Sequence, residues 1–243
     1  MIEKALRYIV GLNEPKILEV NGQTYSDKRL DRIKFHPSVC AIEMSTLTSL
    51  VDYVKANSDY MPPTMFVQVV SPTEVLLFTA MDPEEKDRDI FVRVKAVLPV
   101  IKMDQWVGHE EFLIALQAKY KPTDDRDLLL KFAGTVENGT VAQYGDDGVS
   151  QKATIKTGIA SKGDAVVPNP VKLRPYRTFL EVEQPESQFV FRMKDSSSYG
   201  ENEVKCALFE ADGGAWKMQA MKNIKDYLQF ELAECFTHII VLS

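Results

Sequence analysis

Predicted strands and helices come in groups along this chain, and that grouping limits the fold more than any other feature of the sequence. Three apolar runs rich in β-branched residues, separated by turn residues, predict an antiparallel meander over 65–97. The C-terminal part carries predicted strands at 178–182, 189–193 and 204–209, a helix at 216–231 and a last, buried strand at 238–242. Regular alternation of strand and helix would favour a doubly wound sheet, so the grouping predicts an α+β fold with antiparallel sheets.

Apolar spacing and capping residues place the remaining elements. Ser45 or Thr46 is expected to cap a helix that buries Leu47, Leu50, Val51 and Val54. Two more helices, at 110–120 and after a Thr123 cap, are predicted to bury Phe112, Leu113, Leu116, Leu128, Leu129 and Phe132. The helix at 216–231 is predicted to bury Met218, Met221, Ile224, Leu228 and Leu232. A short amphipathic helix is predicted at 3–12, and Asn21-Gly22 predicts a tight hairpin.

The length of 243 residues suits one large core, and we predict a single domain over 1–243. Within it we expect a strand-rich half (1–105), a helical stretch (106–136), and a strand-rich half with a C-terminal helix (137–243). The last of these includes a strand-helix-strand unit at its end.

The charge distribution is the strongest indication of a partner. The formal net charge is −6, which argues against a protein that coats nucleic acid over its whole surface. Between positions 150 and 177, however, six basic residues stand against the single acid Asp164. These bases are Lys152, Lys156, Lys162, Lys172, Arg174 and Arg177.

Two interpretations of this basic stretch remain open. Its lysines and arginines could hold the phosphates of a nucleic acid or a nucleotide, with Tyr144 or Tyr176 as a stacking surface. Alternatively, they could pair with the acidic C-terminal third, where 181–234 carries eleven acids and six bases.

Common catalytic motifs are absent from the sequence. It contains no P-loop, no Gly-x-Gly-x-x-Gly and no Gly-x-Ser-x-Gly, and its three histidines and three separated cysteines form no metal-ligand spacing. A weak nuclease pattern consists of Asp195, Glu203 and Lys205, in which the carboxylates would hold Mg²⁺ and the lysine a phosphate. Ser196 to Gly200 is expected to form a turn between them. We otherwise predict no catalytic residue, no metal site and no cofactor.

The charged N-terminus does not resemble a signal peptide, and no apolar run is long enough to span a membrane. We therefore expect a cytoplasmic protein with no membrane partner.

Several segments together resemble the YfdQ-like family of phage and prophage proteins, a family without an assigned activity. They are Trp106 ahead of a helix with Glu111 and Phe112, the 128–132 helix, the 138–141 strand start, and the final strand-helix-strand unit. The resemblance covers about residues 60–243 and assigns no functional residue.

The resemblance implies a phage accessory protein made in the cytoplasm of an infected bacterium. We expect a non-enzymatic binding protein that acts on nucleic acid, on a host defence protein or on a nucleotide signal. A homo-oligomer is expected. The alternatives are a self-assembling shell- or capsid-like protein and the metal-dependent nuclease described above.

Overall fold

A computed structural model describes residues 2–11, 15–29, 39–83, 86–135, 141–146, 151–157, 160–167, 169–198, 201–235 and 238–243. It contains two compact units, residues 1–38 and 39–243. The first comprises α1 (Ile2–Gly11), β1 (Ile17–Val20) and β2 (Gln23–Ser26). Strands β1 and β2 form the predicted hairpin, in which Asn21 (φ 54°) and Gly22 (φ 74°) adopt the left-handed conformation that a tight turn requires.

The second unit contains the other elements in the following order. Its first half comprises β3 (Ile42–Met44), α2 (Leu47–Ala56), β4 (Thr64–Ser71), β5 (Glu74–Thr79), β6 (Ile90–Lys95), β7 (Val107–Gly108), α3 (His109–Lys119) and α4 (Asp124–Thr135). Its second half comprises β8 (Val141–Asp146), β9 (Gln151–Thr157), β10 (Ala160–Val167), β11 (Val171–Leu173), β12 (Ser187–Ser198), β13 (Glu201–Glu210), α5 (Ala215–Glu231) and β14 (His238–Leu242). The predicted α+β class is confirmed.

A five-stranded sheet with the order β14-β4-β5-β6-β3 forms the first layer. The predicted meander β4-β5-β6 is antiparallel, whereas the edge strands β14 and β3 run parallel to their neighbours. Helices α2 and α5 cover this sheet. The four predicted core positions of α2 are all buried, and the Thr46 side chain accepts a hydrogen bond from the Ser49 amide as the N-cap.

A four-stranded sheet with the order β11-β12-β13-β7 carries α3 and α4 on one face. Phe112 and Phe132 both pack against the ring of Phe191 at the centre of this second core. The third sheet, β10-β9-β8, is an antiparallel meander.

Two predicted core residues are exposed instead. Leu128 is 39 % exposed because α4 buries Leu129, Phe132 and Ala133, and position 128 lies about 100° of helix rotation away from Leu129. Met218 is 72 % exposed because Ala220, Ile224 and Leu228 define the buried face of α5.

The strand predictions at 178–182 and 238–242 also need correction. Residues 178–182 form no strand, since the Gln184 side chain satisfies their backbone: its Oε1 accepts from the amides of Arg177 and Thr178, and its Nε2 donates to the Phe179 carbonyl. Strand β14 exists but is an edge strand in which only Val241 is buried.

Residues 174–187, which we call the crosspiece, connect the two larger sheets. On one side, the Glu181 carboxylate accepts from the Leu47 amide at the start of α2, and the Thr178 hydroxyl donates to the Pro72 carbonyl. On the other side, the Lys121 amide donates to the Arg174 carbonyl next to α3. The crosspiece therefore sets how the two sheets lie within the unit.

Arg177 is the buried charge of the crosspiece and is only 8 % exposed. Its guanidinium donates to the Glu210 carboxylate at 2.6 Å and to the Ser187 hydroxyl, and it stacks 3.8 Å from the ring centroid of Trp216. Burial lowers the pKa of Arg177, while Glu210 acts in the opposite direction and favours the charged form. Strands β12 and β13 and helix α5 are thus joined by one side chain.

We predict that Arg177→Ala lowers the free energy of unfolding by about 3–5 kcal/mol, because it leaves the Glu210 carboxylate without its partner. Urea denaturation followed by circular dichroism measures this loss. The control is Arg174→Ala, which removes a more exposed pair with Glu183 and should cost less than about 1 kcal/mol. Equal losses for both variants would contradict the assigned role of Arg177.

Candidate nucleic-acid interface

The outer face of the four-stranded sheet carries a group of basic residues. Side chains alternate along β12, and Phe189, Phe191 and Met193 are buried against α3 and α4. Arg192 and Lys194 therefore lie on the opposite face, with Lys194 exposed and Arg192 half-buried.

The strand register adds two more bases to this face. Lys205 of β13 lies directly opposite Lys194, and Lys172 of β11 lies opposite Gln188, which shares the face of Arg192 and Lys194. We call these four positions, Lys172, Arg192, Lys194 and Lys205, the basic face. Lys194 and Lys205 are like charges directly opposite each other on the sheet, and such pairs repel.

Two aromatic side chains accompany these bases. Trp106, which precedes β7, is 38 % exposed and meets the Phe209 ring edge-on at a centroid distance of 6.1 Å. The Lys194 Nζ lies 4.2 Å from the centroid of the Trp106 ring, within the range of a cation–π contact. Positive charge and a partly exposed indole thus lie side by side.

The loop that carries Trp106 is held in place by β13. Asp104 has a φ of 57°, and its amide donates to the Leu208 carbonyl at 2.9 Å. Its carboxylate accepts from the Glu210 amide at 3.1 Å. These bonds place Trp106 over the sheet at the point where β7 begins to pair with β13.

Beneath the basic face lies Cys206, whose side chain points to the core formed with α3 and α4. Burial raises the pKa of this thiol to about 12. The thiol therefore stays protonated at neutral pH and is unsuited to nucleophilic chemistry.

The structure places three of the sequence-predicted phosphate ligands against carboxylates. Lys172 Nζ lies 3.8 Å from Glu186, and Arg174 donates to Glu183 at 2.8 Å. Arg177 is the buried partner of Glu210 described above. Tyr176 is half-buried, and its amide donates to the Lys119 carbonyl at the end of α3.

The other three predicted ligands belong to the third sheet. Lys152 and Lys156 occupy positions of β9 on one face, while Lys162 of β10 pairs with Ile155 and so falls on the other face. The side chains of these lysines lie outside the described residues, and their role in binding phosphate stays a prediction.

The three residues of the nuclease pattern do not share one face. Asp195 pairs with Val204, whereas Glu203 pairs with Ser196, so the register puts Asp195 on the opposite face from Glu203 and Lys205. The turn predicted at 196–200 was wrong for its first three residues: Ser196, Ser197 and Ser198 pair with β13, and positions 199–200 lie outside the described residues. Among the described side chains, no group of three metal-binding residues occurs.

Sequence reasoning missed the residues that form most of this surface, namely Trp106, Arg192, Lys194 and Phe209. The alternation Phe189-Val190-Phe191-Arg192-Met193-Lys194 contained the signal for β12, because its odd positions are apolar and two of its even positions are basic. Trp106 gave no such signal, since its place depends on the pairing of the short β7 with β13.

Comparison with protein-family models, curated proteins and solved structures finds no match to this chain. In the part of the chain that the structure describes, no helix is long and apolar enough to cross a membrane.

Proposed function

We propose that this chain is a non-enzymatic protein that binds single-stranded nucleic acid on the basic face. The observation that supports this function best is the contact of Lys194 with the partly exposed Trp106, beside the basic Arg192. Cationic side chains bind phosphates, and an indole stacks on a base.

A single strand fits this surface better than a duplex. Stacking on Trp106 requires an unpaired base, because bases in a duplex are already stacked on one another. A sheet face with aromatic and basic side chains is a common platform for single strands. The acidic character of the whole chain confines the attraction for phosphate to this local surface.

The chain binds the single strand and does not hydrolyse it. Hydrolysis of a phosphodiester by the nuclease pattern needs its two carboxylates on one metal ion. The opposite-face register of Asp195 and Glu203 does not favour that geometry.

Self-assembly is a second candidate because of the first compact unit. None of its described side chains is buried, and its exposed residues include Ile2, Leu6, Ile17 and Leu18. Among its described residues, the two-stranded hairpin and the ten-residue helix bury no side chain, and such elements are marginal on their own, so a second copy of the chain would stabilise them. Light scattering coupled to size-exclusion chromatography should then show an oligomer that Leu6→Glu and Leu18→Glu dissociate; a monomeric wild type would contradict this candidate.

For the nucleic-acid function, we predict that the double variant Arg192→Glu, Lys194→Glu binds a fluorescein-labelled 15-nucleotide oligo(dT) at least about tenfold more weakly than wild type. Fluorescence anisotropy over a series of salt concentrations measures this. The slope of log K against log [salt] should become less steep by about 1.4, since two phosphate contacts on a single strand are lost. Trp106→Ala should weaken binding at every salt concentration and leave the slope unchanged.

The matched control is the double variant Lys131→Glu, Lys222→Glu, which reverses the charge of two exposed lysines outside the basic face. It makes the same change in net charge, so it should keep most of the affinity. Circular dichroism and urea denaturation verify that each variant is folded. Equal losses in both double variants, or no binding by folded wild type, would contradict the proposed function.

A further inference from the structure

An open cleft of about 460 Å³ lies at the β11 end of the basic face. Its walls include Lys172, Glu186, Gln188, Asp212, Trp216 and Gln219. Lys172 and Gln188 are paired across β11 and β12 on the same face as Arg192 and Lys194. A strand that follows the basic face therefore reaches this cleft.

Trp216 forms a rigid apolar wall of the cleft. The Arg177 guanidinium stacks 3.8 Å from its ring centroid and is itself held by Glu210 and Ser187. Among the described residues, the buried indole Nε1 has no hydrogen-bond partner. An aromatic side chain fixed in this way offers contact area at little cost in conformational entropy.

The carboxylates of the cleft determine which part of a nucleotide it accepts. Glu186 is exposed, and Asp212 is half-buried with its Oδ1 accepting from the Gly214 amide at 3.0 Å. Glu186 is paired with Lys172 at 3.8 Å and with Arg174 at 3.5 Å, so the Asp212 carboxylate is the group that repels a phosphate and accepts hydrogen bonds from N–H groups. The cleft therefore suits a base, while the phosphates lie on the basic face.

Among the polar groups that line the cleft, the Asp212 carboxylate points to one class of base. Gln188 and Gln219 are both exposed at its rim. Such amides can pair with an amino group or a carbonyl, whereas the Asp212 carboxylate only accepts and so favours an exocyclic amino group, such as N6 of adenine or N4 of cytosine. Thymine and uracil carry a carbonyl at the corresponding position.

We propose that this cleft is a base pocket, and that it prefers a base with an exocyclic amino group over thymine or uracil. This inference rests on the proposed binding of single strands and adds to it a preference in sequence. The bound strand runs from Trp106 and Lys194 towards Trp216, with one base turned into the cleft.

The test compares labelled 15-nucleotide oligo(dC) and oligo(dT), which have the same length and charge and differ mainly in the group at position 4. We expect wild type to bind oligo(dC) about tenfold more tightly by fluorescence anisotropy at about pH 8. In the double variant Asp212→Asn, Gln219→Leu, the affinity for oligo(dC) should fall to the wild-type affinity for oligo(dT). The affinity for oligo(dT) should stay unchanged. The side-chain oxygen that Asp212→Asn retains can still accept from the Gly214 amide, so the start of α5 is preserved.

The matched control is Gln229→Leu, the same change at an exposed position of α5 that does not line this cleft. It should retain the preference for oligo(dC). Equal binding of the two oligonucleotides by wild type, or a preference that survives in the double variant, overturns the base pocket and leaves the proposed function intact. Binding of neither oligonucleotide overturns the proposed function itself.

Discussion

The ion pair between Arg177 and Glu210 is the interaction on which the arrangement of the second unit depends. Removing a guanidinium from water costs several kcal/mol, and only close pairing offsets that cost. Here the Glu210 carboxylate at 2.6 Å, the Ser187 hydroxyl and the Trp216 ring supply the partners. Because these partners come from β13, β12 and α5, Arg177 ties the crosspiece to the four-stranded sheet and to the helix that packs on the five-stranded sheet.

Carboxylates lie close to three of the six bases in the stretch that the sequence predicts to bind phosphate. Lys172, Arg174 and Arg177 all lie close to carboxylates of the acidic C-terminal third. Arg192 and Lys194 belong to that acidic third in sequence, yet the alternation of β12 puts both on the outer face of the sheet. Local charge counts along the chain therefore say less about a surface than strand register does.

Prediction from sequence succeeded where the determining forces are local. The core positions of α2, the Thr46 cap and the Asn21-Gly22 turn all follow from spacing and backbone preference within a few residues. It failed where residues that are distant in sequence determine the burial or the backbone conformation. Leu128 and Met218 are exposed because other elements select the buried face of each helix, and residues 178–182 follow the hydrogen bonds of Gln184. Trp106 joins the candidate site only through the pairing of β7 with β13.

Binding of a single strand across the outer face of β12 and β13 is the central claim, and ultraviolet cross-linking tests it most directly. Wild-type protein would be irradiated with oligo(dT), digested, and the cross-linked peptides identified by mass spectrometry. Cross-links are expected at Trp106 and Phe209, two aromatic side chains of that face. Cross-links confined to residues 151–167, with none at Trp106 or Phe209, would contradict it.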